Sequence, residues 1–140
     1  MSDIEIIREE DVSSTTLSTL FKRAFLKSRI DDDGDLIVET DGPRIFVIVD
    51  TGKKFIKFMT LFSFKQGTLS QKYQFVNKMN DDFVFSRFSV PEHNEDTLVA
   101  DYYLSYSEGV PAFQVVNSLR YFSRVVPGAI RASDDDDLVS

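Results

Sequence analysis

Two apolar segments joined by a tight turn constrain the fold of this chain more than any other feature. Residues 45–49 form an unbroken apolar run, and Thr51-Gly52 leads directly into a second segment, residues 53–64, as in a β-hairpin. Because side chains alternate along a strand, this second segment has two apolar faces. One face carries Ile56, Phe58, Phe62 and Phe64, and the other carries Phe55, Met59 and Leu61.

Apolar residues on both faces predict a central strand that is covered on both sides, or a sheet whose second face binds a partner. We take Ile56, Phe58, Phe62 and Phe64 as the candidate partner surface. The same pattern is the first indication of an oligomer.

The remaining elements follow from hydrophobic spacing and turn residues. A first helix is predicted after the hydroxyl-rich residues 13–16, ending before the turn at Asp31. Strands are predicted at residues 36–40, 44–50, 53–64, 83–90 and 97–106, and further helices at residues 70–80 and from Pro111 to Pro127-Gly128. The order α-β-β-β-α-β-β-α predicts an α+β domain with an antiparallel sheet packed against helices.

The net charge of −7 is concentrated at the two ends of the chain. Residues 1–12 sum to −4 and residues 131–140 to −3, whereas residues 13–130 carry fourteen basic and fourteen acidic side chains. A run of four Asp repels itself and cannot bury apolar surface. We therefore expect a flexible acidic N-terminus at residues 1–12, one domain at residues 13–130, and a disordered acidic tail at residues 131–140.

Composition argues against several classes of protein. At 140 residues the chain has the size of one domain, and no apolar run approaches the roughly 18 residues that cross a bilayer. The absence of cysteine excludes disulfides, thiolate metal sites and thiol catalysis. The N-terminus lacks a secretory signal, and the neutral central segment offers no cationic track for nucleic acid. We expect a cytoplasmic protein without membrane or nucleic-acid partners.

Two local motifs could suggest metal binding or catalysis, but both are better explained as loops. Setting Gly34 of Asp31-Asp32-Asp33-Gly34-Asp35 at the sixth position of a calcium loop puts Arg29 at the first position and Thr40 at the twelfth, where carboxylates are needed. His93 is the only histidine, and it lies in a polar connection. We predict no catalytic residue, no metal site and no cofactor.

One charged pair is predicted inside regular structure. Arg87 interrupts the strand at residues 83–90, and Asp101 interrupts the strand at residues 97–106. If these strands pair antiparallel through residues 91–96, the two side chains fall opposite or nearly opposite each other. A cross-strand ion pair is therefore favoured over a catalytic acid.

From the second helix onward, the sequence resembles the YbjN family of small bacterial domains. The resemblance is carried by Phe75-Val76-Asn77-Lys78-Met79-Asn80, Phe83-Val84-Phe85-Ser86-Arg87-Phe88, Val99-Ala100-Asp101-Tyr102-Tyr103-Leu104 and Glu108-Gly109-Val110. In this family Asn77 and Asn80 are expected to close a helix and brace the next strand. The resemblance also implies a fold similar to type III secretion chaperones, which are small, acidic, dimeric and cytoplasmic, and which bind unfolded client segments.

The resulting hypothesis is a non-enzymatic interaction module: a homodimer with a chaperone-like or regulatory role that binds a client protein segment. One alternative is a small ligand-binding protein or hydrolase that uses surface carboxylates. Another is an immunity-type protein that neutralises one partner.

Overall fold

A six-stranded antiparallel sheet and three helices make up the fold in the computed structural model, which describes residues 4–139. The strands are β1 Ile6–Ile7, β2 Lys27–Ile30, β3 Leu36–Glu39, β4 Ile45–Asp50, β5 Phe55–Ser63, β6 Arg87–Ser89, β7 Thr97–Ser105 and β8 Val110–Pro111. The helices are α1 Ser14–Arg23, α2 Leu69–Asp82 and α3 Ala112–Ser133. None of the helices among these residues combines the length and apolarity needed to cross a bilayer.

The strand order of the sheet is β2-β3-β4-β5-β7-β6, and every neighbouring pair is antiparallel. The chain leaves β5, forms α2, enters the sheet again at its edge as β6, and returns beside β5 as β7. The predicted α+β class with an antiparallel sheet is confirmed. A separate two-stranded pair, β1 with β8, joins the N-terminus to the start of α3.

Apolar residues of all three helices form one core with alternate positions of the strands. The core includes Leu17 and Phe21 of α1, Phe75 and Met79 of α2, Leu119 and Phe122 of α3, and Leu36, Val47, Phe58, Ala100 and Phe88 of the sheet. The helices therefore cover one face of the sheet.

The first two helices each begin at a residue whose side chain accepts a hydrogen bond from an unpaired backbone amide of the first turn. Ser13 caps α1 and Thr68 caps α2, each in a capping box with the residue three positions later. The hydroxyl-rich start predicted for the first helix is confirmed, but its end is not. The helix stops at Arg23, and β2 occupies residues that were expected to be helical.

Helix α3 also differs from the prediction, because it continues through Pro127-Gly128 to Ser133. Proline cannot donate a backbone hydrogen bond and normally disrupts a helix interior. Here the residues beyond it, Ala129 and Ile130, are buried in the core, which offsets that cost. The turn between β3 and β4 lies against this part of α3, where a Cβ on Gly42 would be 3.4 Å from the Ser123 carbonyl oxygen.

The described part of the N-terminus is docked rather than flexible. Val12 is buried, the amide of Ala112 donates to the Glu5 carbonyl (2.9 Å), and the amide of Glu108 donates to Glu9 Oε1 (3.1 Å). The expectation of a flexible segment at residues 1–12 is therefore wrong for residues 4–12, and residues 1–3 lie outside the described part.

The expected disordered tail at residues 131–140 is also wrong for residues 131–139. The carboxylate of Asp134 accepts from the amides of Leu138 (2.7 Å) and Val139 (3.0 Å), which turns the chain back toward the sheet. Leu138 is buried, and its carbonyl accepts from the amide of Lys65 at 2.8 Å. The buried Leu138 and these hydrogen bonds together hold the acidic run in place, and Ser140 lies outside the described part.

A buried phenol at the end of the sheet makes stability sensitive to alkaline pH. Tyr106 is 1% exposed, and its hydroxyl donates to the Asp50 carbonyl at 3.3 Å. Burial, with help from Asp50 and Glu9, raises the pKa of Tyr106 above its ordinary value. The stabilisation from this raised pKa is full below the unfolded pKa near 10 and is lost as the pH rises through the folded pKa.

We therefore expect Tyr106→Phe to flatten the loss of stability above about pH 10, although it costs about 1 kcal/mol at neutral pH through the lost hydrogen bond. Urea unfolding of both proteins between neutral and alkaline pH checks this. Parallel curves for the two proteins would contradict the assignment.

Candidate interaction surfaces

The four residues predicted as a partner surface are mostly in the core. Ile56 and Phe58 are 0% exposed and Phe64 is 7% exposed, while Phe62 is half-buried and packs against the same core. The prediction of a partner surface there is wrong, because the helices cover this face of β5.

The opposite face of the sheet points away from the helices, and we call it the open face. Strand pairing aligns one residue from each of the six strands in a row across it: Arg29, Ile37, Phe46, Met59, Asp101 and Arg87. A second row consists of Ile48, Lys57 and Tyr103, and a third contains Leu61, Val99 and Ser89. Ile48, Leu61 and Tyr103 are 39–48% exposed, so this face presents large apolar side chains to solvent among its charged residues.

The predicted cross-strand pair of Arg87 and Asp101 is confirmed and lies on the open face. The two residues are direct partners in the pairing of β6 with β7. Arg87 Nε donates to Asp101 Oδ1 at 2.9 Å, and Arg87 Nη2 donates to Oδ2 at 2.8 Å. Hydrogen bonding to Asp101 raises the pKa of the Arg87 guanidinium, while the partial burial of Arg87 opposes this shift.

The surroundings of the pair are asymmetric. Asp101 is 2% exposed, whereas the Arg87 side chain is 64% exposed and lies 5.6 Å from the ring centre of Tyr103. Arg87 therefore covers a buried carboxylate with a guanidinium that faces water. An acid held by a bidentate ion pair serves structure better than proton transfer.

Asn80 braces the neighbouring strand as predicted, but it does not close its helix. Its side chain accepts from the amide of Phe88 and donates to the Phe88 carbonyl, both at 2.9 Å. The helix continues two residues further, to Asp82, and ends at Phe83. Asn77 is exposed on α2, so only one of the two asparagines holds the strand.

The carboxylate-rich turn between β2 and β3 has the geometry of an ordinary turn. Oxygens of Asp31, Asp33 and Asp35 lie within 4.8 Å of one another. Asp31 Oδ1 already accepts from the amides of Asp33 (3.0 Å) and Asp35 (2.9 Å). His93 is exposed in the turn before β7, far in sequence from this cluster.

A groove of about 980 Å³ lies beside the sheet, between α3 and the chain that follows α1, and sequence reasoning missed it. Its aromatic lining is Phe25, Phe85 and Tyr121, and its basic lining is Lys27, Arg120 and Arg124. We call it the aromatic groove. Its residues are distant in sequence, and no local motif brings them together.

Phe25 at the lip of this groove has an unusual backbone. It occupies the left-handed region (φ 65°) just after α1, where the amides of Phe25 and Leu26 donate to the carbonyls of Lys22 and Phe21. Glycine usually fills this position of a Schellman motif. A residue with a Cβ costs about 1–2 kcal/mol there. The Phe25 side chain is also 96% exposed, so the fold recovers none of that cost by burying it.

The three cations of the groove differ in how far they are already engaged. Arg120 Nη2 donates to the Ala24 carbonyl at 2.6 Å, and the Arg124 guanidinium lies 5.8 Å from the Tyr121 ring centre. Among residues 4–139, no carboxylate forms an ion pair with Lys27, Arg120 or Arg124. These three basic residues therefore differ from Arg29 and Arg44, which share Glu39.

Comparisons with known proteins agree with this architecture. The model of the YbjN family, described as "Putative bacterial sensory transduction regulator", matches residues 13–133. A crystal structure of YbjN from E. coli, described as "a putative transcription regulator", superposes with a TM-score of 0.75 at 14% identity, covering 92% of this chain and 96% of that one. A comparison with curated proteins finds no match. Since the family model spans most of the sequence, the chain belongs to the YbjN family.

Proposed function

We propose that this chain is a non-enzymatic protein-interaction module, a homodimer with a regulatory or chaperone-like role that binds a segment of a client protein. The observation that carries the proposal is the open face. Contiguous exposed apolar surface on a globular domain is typical of binding sites. The family description as a regulator supports a binding role over an enzymatic one.

The size and charge of the open face suit a second copy of the chain. The six strands contain 4, 4, 6, 9, 9 and 3 residues, so at about 3.3 Å per residue and about 4.8 Å between strands the face covers about 550 Å². Specific interfaces start at about 600 Å² on each partner. A two-fold contact also needs a self-complementary surface, and the open face combines apolar side chains with both signs of charge, as in Lys57, Arg87 and Glu39.

The alternatives find less support in the structure. A hydrolase needs a free acid near a nucleophile, but Asp101 is engaged by Arg87. The E. coli protein is described as a regulator of transcription, but the mixed charges of the open face suit protein better than a phosphate backbone. An immunity-type protein would neutralise one partner, so identifying the partner tests that alternative. We place the module in the cytoplasm, since a chain without cysteine needs no oxidising compartment to fold.

Light scattering at micromolar concentration is expected to give twice the chain mass of 16.0 kDa. The double variant Ile48→Lys/Leu61→Lys should give a monomer, because it places two charges in the proposed contact. The matched control Leu69→Lys/Tyr73→Lys alters exposed apolar residues of α2 that are 38% and 52% exposed and should stay dimeric. Circular dichroism verifies that each variant is folded. A wild-type monomer would overturn the dimer, and dissociation by the control alone would move it to α2.

A further inference from the structure

We propose that the aromatic groove is the client site, and that it binds an acidic peptide segment carrying an aromatic or large apolar side chain. The inference rests on the proposed client-binding role and adds the location and chemistry of the partner. It concerns a surface separate from Ile48 and Leu61 of the open face.

Charge complementarity identifies the acidic character of the segment. The chain has a net charge of −7, yet Lys27, Arg120 and Arg124 converge on one groove and have no ion-pair partner among residues 4–139. The groove also contains Glu39 and Asp41; Glu39 is the cross-strand partner of Lys27 but lies within ion-pair distance, 4.0 Å, of Arg29 and Arg44 instead. Carboxylates of a ligand would form charge-assisted hydrogen bonds with these cations, for which Lys27 and Arg124 have more free donors than Arg120, which already donates to the Ala24 carbonyl.

The aromatic lining identifies the anchor side chain. Tyr121 packs edge-on against Phe85 with ring centres 4.6 Å apart, and it remains 46% exposed. Phe25 lines the same groove, with a 96% exposed side chain on a left-handed backbone. A strained position that holds an exposed aromatic residue where glycine would be more stable points to a functional contact. A ring or large apolar side chain inserted between Phe25 and Tyr121 would bury both.

The test is a selection of random linear peptides on the immobilised full-length protein, followed by fluorescence anisotropy of the enriched peptides. We expect enriched peptides to combine Asp or Glu with an aromatic or large apolar residue. The double variant Lys27→Glu/Arg124→Glu should weaken their binding roughly ten-fold or more, since two charge-assisted contacts become repulsive. The matched control Lys53→Glu/Arg131→Glu makes the same change of charge at exposed residues outside the groove and should bind like the wild type.

Phe25→Gly separates binding from folding. The substitution removes the ring and relieves the left-handed strain, so it should weaken peptide binding while raising the melting temperature by about 2–4 °C. Phe25→Ala should weaken binding without that gain, because alanine keeps the strained backbone.

Three results would overturn the inference: no enrichment over the Lys27→Glu/Arg124→Glu protein, enriched peptides without acidic residues, or equal binding by both double variants. Capture of phosphatidylserine vesicles by the wild type and not by Lys27→Glu/Arg124→Glu, in the absence of peptide binding, would assign the groove to a membrane surface instead. The dimer measured by light scattering does not depend on these variants, so the groove can fail while the dimer stands.

Discussion

Replacing Arg87 by methionine is expected to lower the free energy of unfolding by about 3 kcal/mol, because it leaves the buried carboxylate of Asp101 without a counter-charge. Methionine has a similar length and keeps Asp101 shielded from water, so the carboxylate cannot recover its hydration. The estimate lies at the low end for a broken buried pair, since the Arg87 side of the pair is 64% exposed. Urea unfolding at one fixed protein concentration measures it, because dissociation of a dimer would add to the apparent stability.

The reciprocal change provides the control. Asp101→Asn leaves an arginine that can turn toward water, so it should cost less than Arg87→Met. The double variant Arg87→Met/Asp101→Leu removes both charges and should recover much of the loss. A double-mutant cycle gives the coupling energy directly. A coupling energy near zero, or a larger loss for Asp101→Asn than for Arg87→Met, would contradict a pair organised around a buried Asp101.

The sequence predicted those parts of the fold whose causes are local. The hairpin of β4 and β5 follows from two apolar runs around a short turn, and the start of α1 follows from hydroxyl residues ahead of apolar spacing. The Arg87–Asp101 pair could be predicted because the two strands are joined by a short connection, which limits their possible register. Each of these features needs only residues close together in the chain.

The choice between the two faces of β5 could not be made from that strand alone. Both faces are apolar, and only the positions of the helices decide which one becomes the core. The residues chosen as a partner surface, Ile56 and Phe58, face the helices, while Met59 and Leu61 face solvent. The alternation in β7 contained the missing signal, because its face with Leu98, Ala100 and Leu104 carries no charge and the other carries Asp101.

The aromatic groove was not predictable for a different reason. Phe25 has helical spacing with Leu17 and Phe21, so its pattern predicts a core position, but α1 ends at Arg23 and turns it outward. No glycine marks this helix end, although the backbone there is the one glycine favours. The conflict between residue type and backbone conformation is visible only once the structure is known.

Glu39 connects the two proposed surfaces. It lines the aromatic groove, and its carboxylate lies 4.0 Å from both Arg29 and Arg44 at the edge of the sheet. Because Glu39 is also the cross-strand partner of Lys27, an acidic ligand bound at Lys27 would place its charge next to Glu39 and change the contacts of Arg29 and Arg44. Peptide binding and dimerisation can therefore be tested for coupling with the same reagents, by light scattering with and without a saturating enriched peptide.

The docked C-terminus shows why a run of like charges need not be disordered. Four consecutive Asp residues repel one another, but they do not act as equivalent charges. Asp134 uses both carboxylate oxygens to accept from the backbone ahead of it, and Lys65 lies 2.8 Å from Asp137. Leu138 then inserts into the core beside Gly67, where a Cβ would approach Leu138 Cδ2 to 2.7 Å. One capping carboxylate and one buried side chain therefore outweigh the repulsion.

Asp134→Ala is accordingly expected to lower the free energy of unfolding by about 2 kcal/mol, because two amides lose a charged acceptor and Leu138 loses the turn that directs it into the core. Asp136→Ala is the matched control. It removes the same charge from the same run at an exposed position. Gln66 contacts the backbone carbonyl of Asp136 and not its carboxylate. The free energy of unfolding should therefore change by no more than about 0.5 kcal/mol. Urea unfolding compares the two, and hydrogen exchange at the Lys65 amide reports docking, since that amide donates to the Leu138 carbonyl. Equal stabilities with unchanged protection of Lys65 would mean that the tail docks without Asp134. Faster exchange in Asp134→Ala alone would show that one carboxylate, rather than the charge of the run, decides whether the tail is ordered.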